Sequence, residues 1–150
     1  MRALLTAFVC GIALFGVASC SRPATPPVGR WEGTYDSPDV MIAVRLEITQ
    51  KGEIFLCAPD LTDIGNVPAD QRGALRQRLS DGLAAAWGDA QPRPMEFDGR
   101  VFRKPDGVAP QMEWNPDTKQ MTVILYLGTR PSVSVPMRAV GSFSDNPWPT

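Results

Sequence analysis

Residues 40–49, VMIAVRLEIT, alternate so that Ile42, Val44, Leu46 and Ile48 face one way while Arg45, Glu47 and Thr49 face the other. A two-residue period of this kind predicts a half-buried strand. A shorter strand candidate, WEGTY at 31–35, precedes it. QKGE then supplies a glycine-containing turn into EIFLC at 53–57, so 40–57 reads as a hairpin. In the second arm Phe55 and Cys57 share one face and Ile54 and Leu56 the other. An arm that is apolar on both faces needs cover on both.

The period then lengthens. Over residues 68–87, Leu75, Leu79, Leu83, Ala86 and Trp87 form one stripe of a helix. Asn66 is a candidate N-cap, Pro68 suits the first turn, Asp70 complements the positive end of the macrodipole and Gly88 is a natural stop. Gly73 and Gly82 each cost about 1 kcal/mol relative to alanine, so the helix must gain its stability by burying that stripe. It is expected to lie across the sheet, over Ile54 and Leu56 or their neighbours.

Strand patterns return in the second half. MEFDGRVFR (95–103) is one strand candidate and is followed by KPDG, where proline presets φ and glycine accepts a positive one. PQMEWN (110–115) leads into NPDT, a type I turn signal, and then into KQMTVILYLG (119–128), apolar on both faces. SVSVPMRAV (132–140) points Val133, Val135, Met137 and Ala139 inward, and Pro136, unable to donate to a ladder, places it at an edge. GSFSDNPWPT reads as a loose tail from which Phe143 and Trp148 could fold back. The predicted order is β-β-β-α-β-β-β-β. Without βαβ alternation, this is an α+β fold, mostly β: a curled antiparallel or small barrel-like sheet of about six to seven strands with one packed helix.

One composition count excludes whole classes of chemistry: the 150 residues contain no histidine. A Ser-His-Asp triad, a Cys-His pair and an imidazole metal site are all closed to the chain. Formal net charge is −1, too weak a field to steer it toward nucleic acid or anionic lipid. No metal and no cofactor is implied.

The amino-terminal pattern concerns address rather than fold. Arg2 is followed by a nearly unbroken apolar run from Ala3 to Val17, interrupted by Thr6, Gly11 and Gly16. The run is shorter than the roughly 20 residues a bilayer span needs and has the layout of a cleaved export signal. Val17-Ala18-Ser19-Cys20 resembles the lipobox of bacterial lipoproteins. The resemblance implies a diacylglycerol on the Cys20 thiol, cleavage before Cys20 and acylation of the new amino group. Ser21, where that family's inner-membrane members carry Asp, implies the outer membrane, facing the periplasm. Two or three acyl chains anchor stably where one does not. The expected organisation is a signal peptide at 1–19, the lipidated cysteine and a proline-rich tether at 20–29, and one β-rich domain at 30–150. A lipidated Cys20 would leave Cys57 without an intramolecular disulfide partner.

Gly29 and Trp31 are weakly similar to the Gly-x-Trp opening of lipocalin-like barrels, in which the tryptophan closes one end. The chain departs from that family in its short length and mid-chain helix. The resemblance implies a cavity for an apolar small molecule, with Trp31, Phe55, Trp87 and Trp114 as candidate lining residues; as ordinary aromatics they would simply be core. Asp60 and Asp63 are the candidate carboxylates for a histidine-independent enzyme, or else residues that end a strand and shape a loop. Cys57 has no base near it in sequence and reads as a small core hydrophobe. Arg72, Arg76, Arg78, Arg100, Arg103 and Lys104 could form a basic ridge for anionic lipid headgroups or lipopolysaccharide, or a solvated face. No catalytic residue is assigned. The expected role is a non-enzymatic envelope lipoprotein, held at the membrane by its lipid anchor and binding an envelope protein or other envelope component. The alternatives are a carrier of an apolar ligand and, third, the carboxylate enzyme.

Overall fold

The hairpin at the start of the chain forms because the alternation on its two arms matches. In the computed structural model, which describes residues 24–58, 62–63, 67–107, 111–128 and 132–149, β1 (Gly29–Asp36) pairs antiparallel with β2 (Val40–Ile48). β2 in turn pairs with β3 (Ile54–Cys57), Ile48 opposite Ile54. Next come β4 (Thr62–Asp63), α1 (Ala69–Gly88), β5 (Pro92–Arg93), β6 (Glu96–Phe97), β7 (Val101–Arg103), β8 (Gln111–Asn115), β9 (Gln120–Leu125) and β10 (Val133–Val140).

All pairings are antiparallel and belong to one sheet. Its order is β5-β3-β2-β1-β10-β9-β8-β7-β6, with β4 attached to the start of β2. The class is therefore as expected, mostly β with one helix on a curled antiparallel sheet. The strand count is not: ten segments replace six or seven. Two short ones, β4 and β5, carry no alternation a sequence can show. The expected strand at 95–103 breaks into β6 and β7 at Asp98, whose Oδ1 accepts the N–H groups of Arg100 (2.9 Å) and Val101 (2.8 Å) while Gly99 takes a φ of 103°.

β10 is also misplaced by the proline rule. It lies between β1 and β9, not at an edge. The β1 register on β10 ends at Gly33 opposite Met137, so Pro136 falls where β9 is the paired neighbour. Gly33 is what lets the strands come this close. A Cβ at that position would run into the Pro136 carbonyl oxygen and the Met137 sulfur. Ala139, expected inward, is exposed.

The two edge strands, β5 and β6, are separated only by Pro94 and Met95. One stretch of chain thus pairs with β3 at one side and with β7 at the other, bridging the edges of the curl. Inside the curl lies the main core: Ile42, Leu46, Ile48, Ile54, Phe102, Met112 and Met121 are all fully or nearly fully buried.

β2 is buried on both faces rather than half-buried. Met41 and Ala43, on its outer face, join Cys57 and the helix stripe Leu75, Leu79 and Leu83 in a second cluster. The helix therefore covers the face opposite to Ile54 and Leu56, which point into the curl. Its ends also differ from expectation. Pro68 occupies the N-cap with no side-chain cap, Asn66 lies outside the described residues, and Gly88 is the last helical residue, with Asp89 as the C-cap at ordinary φ.

Strand direction sorts the turns into two rims. The rim where β1 begins gathers turns 49–53, 98–100 and 116–119; the opposite rim gathers 37–39, 104–107 and 126–128. Two predicted turns close as expected. The Gly107 N–H donates to the Lys104 carbonyl at 2.9 Å, and Asn115 Oδ1 accepts the N–H groups of Asp117 and Thr118.

Candidate functional site

Of the four candidate cavity aromatics, the structure brings two together. Trp31 and Trp114 meet edge to face across the inside of the curl, ring centroids 5.6 Å apart. The Trp31 indole N–H is buried without a hydrogen-bond partner among the described residues. Phe55 alternates with Ile54 and Leu56 and so shares the outer face with Cys57. Trp87 also packs on the outer cluster, edge to face with Phe143 at 4.6 Å.

The densest polar arrangement is on that outer face and was not anticipated. β1 carries Arg30-Trp31-Glu32 and β2 carries Arg45-Leu46-Glu47. Antiparallel pairing sets Arg30 opposite Glu47 and Glu32 opposite Arg45, and on the other side β10 sets Arg138 opposite Glu32. Each cross-strand pair is of opposite charge, which favours this register. The repeated Arg-x-Glu was the available sequence signal.

Glu32 is 0% exposed. Its Oε1 accepts from Arg138 Nη2 (2.6 Å) and Nε (3.2 Å) and from the Ser144 hydroxyl, and its Oε2 accepts the Ser144 N–H at 3.0 Å. Arg45 Nη2 donates to the Ser144 carbonyl at 2.6 Å. Burial pushes the Glu32 carboxyl up, but the two Ser144 hydrogen bonds and the Arg138 guanidinium outweigh it, and the pKa is lowered. Phe143 lies under both Arg45 (5.1 Å) and Arg30 (5.6 Å). Five residues further on, Trp148 is buried, its indole N–H donating to the Arg76 carbonyl (3.0 Å) and Ser80 Oγ (3.1 Å). Residues 141–149 are thus a strap fastened at both ends, not a loose tail. An ionised carboxylate already accepting four hydrogen bonds has little left with which to move a proton. Glu32 is a clasp.

Three of the six candidate ridge residues are similarly engaged. Arg72 and Arg76 both bind Asp36 at the end of β1, Arg76 Nη2 at 2.5 Å, tying the first half of α1 to the sheet. Burial raises the Asp36 pKa, yet hydrogen bonds from Arg76 and Arg72 bring it down overall. Arg103 binds Asp98 at 2.7 Å. The Cys57 thiol is pushed up by burial, against smaller opposing effects of Arg45 and Arg93, and is held protonated. Cys20 and Asp60 lie outside the described residues, and Asp63 is placed by backbone pairing with Val40. Among the described residues no three metal-ligating side chains gather, and no helix is long and apolar enough to cross a membrane.

Three depressions lined by described residues are open grooves. One of about 610 Å³ lies beside Asp36, Pro38 and Arg72, and one of about 380 Å³ beside Arg100, Glu113, Trp114 and Gln120. The third, of about 280 Å³, lies between the strap prolines and β10. Open grooves suit contact with a surface more than enclosure of a small ligand. Compared with known protein families, curated proteins and solved structures, the chain finds no match.

Proposed function

We propose that this chain is a bacterial envelope lipoprotein, acylated at Cys20 and held at the outer membrane, whose β-rich domain binds a protein partner or envelope component without turning over a substrate. One observation carries the reading: Cys20 follows Val17-Ala18-Ser19 at the end of an apolar run, just ahead of the folded chain. The second thiol supports it from the other side. Cys57 is buried under α1 with a raised pKa and is no site for modification. The acidic groups Glu32 and Asp36 are committed to guanidinium partners, which fits binding better than acid–base chemistry.

Metabolic labelling with radioactive palmitate in a bacterial host tests the anchor. Label is expected on the wild type and on Cys57→Ala, and none on Cys20→Ala. A wild-type chain that takes no label, or a Cys20→Ala chain that keeps it, removes the proposal.

The carrier remains a second reading because the Trp31 N–H, inside the curl, has no partner among the described residues. Side chains crowd that interior, so the carrier requires Trp31 or Trp114 to move aside for a ligand. Lipid retained by the purified domain in native mass spectrometry would favour it over partner binding.

A further inference from the structure

The rim where β1 begins is also where the chain arrives from Cys20. Ala24 lies against the turn between β6 and β7: a Cβ built on Gly99 would sit 3.3 Å from the Ala24 Cβ. Only four residue steps separate Cys20 from Ala24, and even fully extended they span no more than about 14 Å. The stretch expected to hold the domain off the membrane is therefore short, because its later part already runs along the domain. β1 has eight residues, so the opposite rim lies about 26 Å further away.

Resting on the proposed acylation of Cys20, we propose that this rim, made of turns 49–53, 98–100 and 116–119, is a membrane-apposed surface that meets the lipid headgroups, and that the rim carrying Tyr126 points outward. One further observation agrees with this polarity, the exposure of Val28; Tyr126 does not distinguish the rims. The large apolar side chains most exposed among the described residues are Val28 at 48% and Tyr126 at 55%. Val28 stands between the anchor and β1, where an apolar side chain can reach the interface, and Tyr126 stands at the opposite rim. The near rim also carries balanced charge, Lys51, Arg100 and Lys119 against Glu53, Asp98 and Asp117. Such a surface neither repels anionic headgroups nor binds them on its own. The acyl chains supply the affinity, and the short leash supplies the orientation.

The experiment uses the full lipidated protein in phosphatidylcholine–phosphatidylglycerol vesicles with headgroup spin-labelled lipid. A thiol-reactive fluorophore is placed natively at Lys51→Cys or Asp117→Cys on the near rim, or at Tyr126→Cys on the far one. The parent protein, with Cys57 buried, is the labelling blank, and far-ultraviolet circular dichroism checks each variant's fold. Probes at Lys51→Cys and Asp117→Cys should lose most of their emission while that at Tyr126→Cys keeps it, and the Cys20→Ser chain should leave the vesicles. If palmitate is incorporated but all three probes respond alike, or the far one is quenched more, the orientation is wrong and the lipoprotein reading stands. If palmitate is not incorporated, both fail. Vesicle binding by Cys20→Ser equal to that of the acylated chain would show an affinity the balanced rim should not have, and would also overturn the inference.

Discussion

Replacing Glu32 with glutamine keeps the shape of the clasp and removes its charge. In the native protein both carboxylate oxygens face donors, from Arg138 and Ser144. A glutamine must turn its NH₂ toward one set, leaving donor against donor in a buried site. Hydrogen bonds to a charged group contribute about 1.5–3 kcal/mol, and an unsatisfied buried group costs about 1–3 kcal/mol. The Arg138 side chain is 57% exposed and regains water when released, so its share falls toward the low end. A net loss of about 2–3 kcal/mol follows, or a Tm lower by roughly 10 °C for a domain of this size.

Urea unfolding followed by tryptophan emission measures the loss, and Trp87 and Trp148 also report whether the strap lets go. The pH dependence separates charge from packing. Because the folded Glu32 pKa is lowered, its contribution is fully present above the unfolded value of about 4.3 and is lost as pH falls through the folded pKa. The gap between wild type and Glu32→Gln should therefore be full at neutral pH and shrink below about pH 4. A double-mutant cycle with Ser144→Ala should give a coupling of about 1 kcal/mol. A gap that stays constant from neutral pH to about pH 3, or no coupling to Ser144, refutes the clasp.

Gly33→Ala should lower stability by about 1–3 kcal/mol, because the added methyl meets backbone that cannot turn away. Gly73→Ala, on the exposed face of α1 with nothing near its Cβ, should raise stability by up to about 1 kcal/mol; urea midpoints of the pair check both, and equal signs contradict the packing described. Asp98 should titrate at about 2, held down by the backbone N–H groups of Val101 and Arg100 and by the Arg103 side chain. A carboxyl-carbon NMR titration showing an ordinary value would mean the hairpin turn is not formed. Native Cys57 should be inert to a thiol reagent at neutral pH and react only on unfolding, and labelling without unfolding would place it outside the core. Trp148→Ala should cost about 3–5 kcal/mol if the site does not collapse, with hydrogen-exchange protection lost in α1 around Ser80; unchanged protection there would separate the strap from the helix.

The alternation at 40–49, the stripe on α1 and the turns at 104–107 and 115–118 could be read directly, since each depends on neighbours close in sequence. What failed was non-local. The face α1 covers depends on where the chain crosses the sheet, and the row that starts with apolar Met41 and Ala43 continues as Arg45, Glu47 and Thr49, so the alternation alone gives no sign of how far cover extends. A proline lacks a donor, which taken alone places Pro136 at an edge. Whether that donor is needed depends on where β1 stops pairing, which Gly33 and Met137 decide. The clasp was hidden for a different reason: Glu32, Arg138 and Ser144 are over a hundred positions apart, and only the doubled Arg-x-Glu in β1 and β2 hinted at charge on a covered face. The aromatics show the same limit. Composition counted them together, but alternation in β3 and the helix stripe sent Phe55 and Trp87 to the face away from Trp31 and Trp114.

The way the curl closes also restricts how the proposed partner is met. Its edge strands, β5 and β6, have two residues each and are joined through Pro94 and Met95. Pro92 and Pro94 offer no N–H, so an incoming strand would find almost no ladder to extend. Recognition by strand addition needs a longer free edge than this. The outer face of β1 and β2 is unavailable too, being covered by α1 and by the strap that Glu32 and Trp148 hold down. Among the described residues, the surfaces that stay open include the rim around Tyr126 and the polar outer row of β8 and β9, Glu113 and Thr122 among it. Contact through side chains at those places is the mode the fold leaves to a binding partner, and it predicts that Tyr126→Ala weakens partner capture while leaving the urea midpoint unchanged.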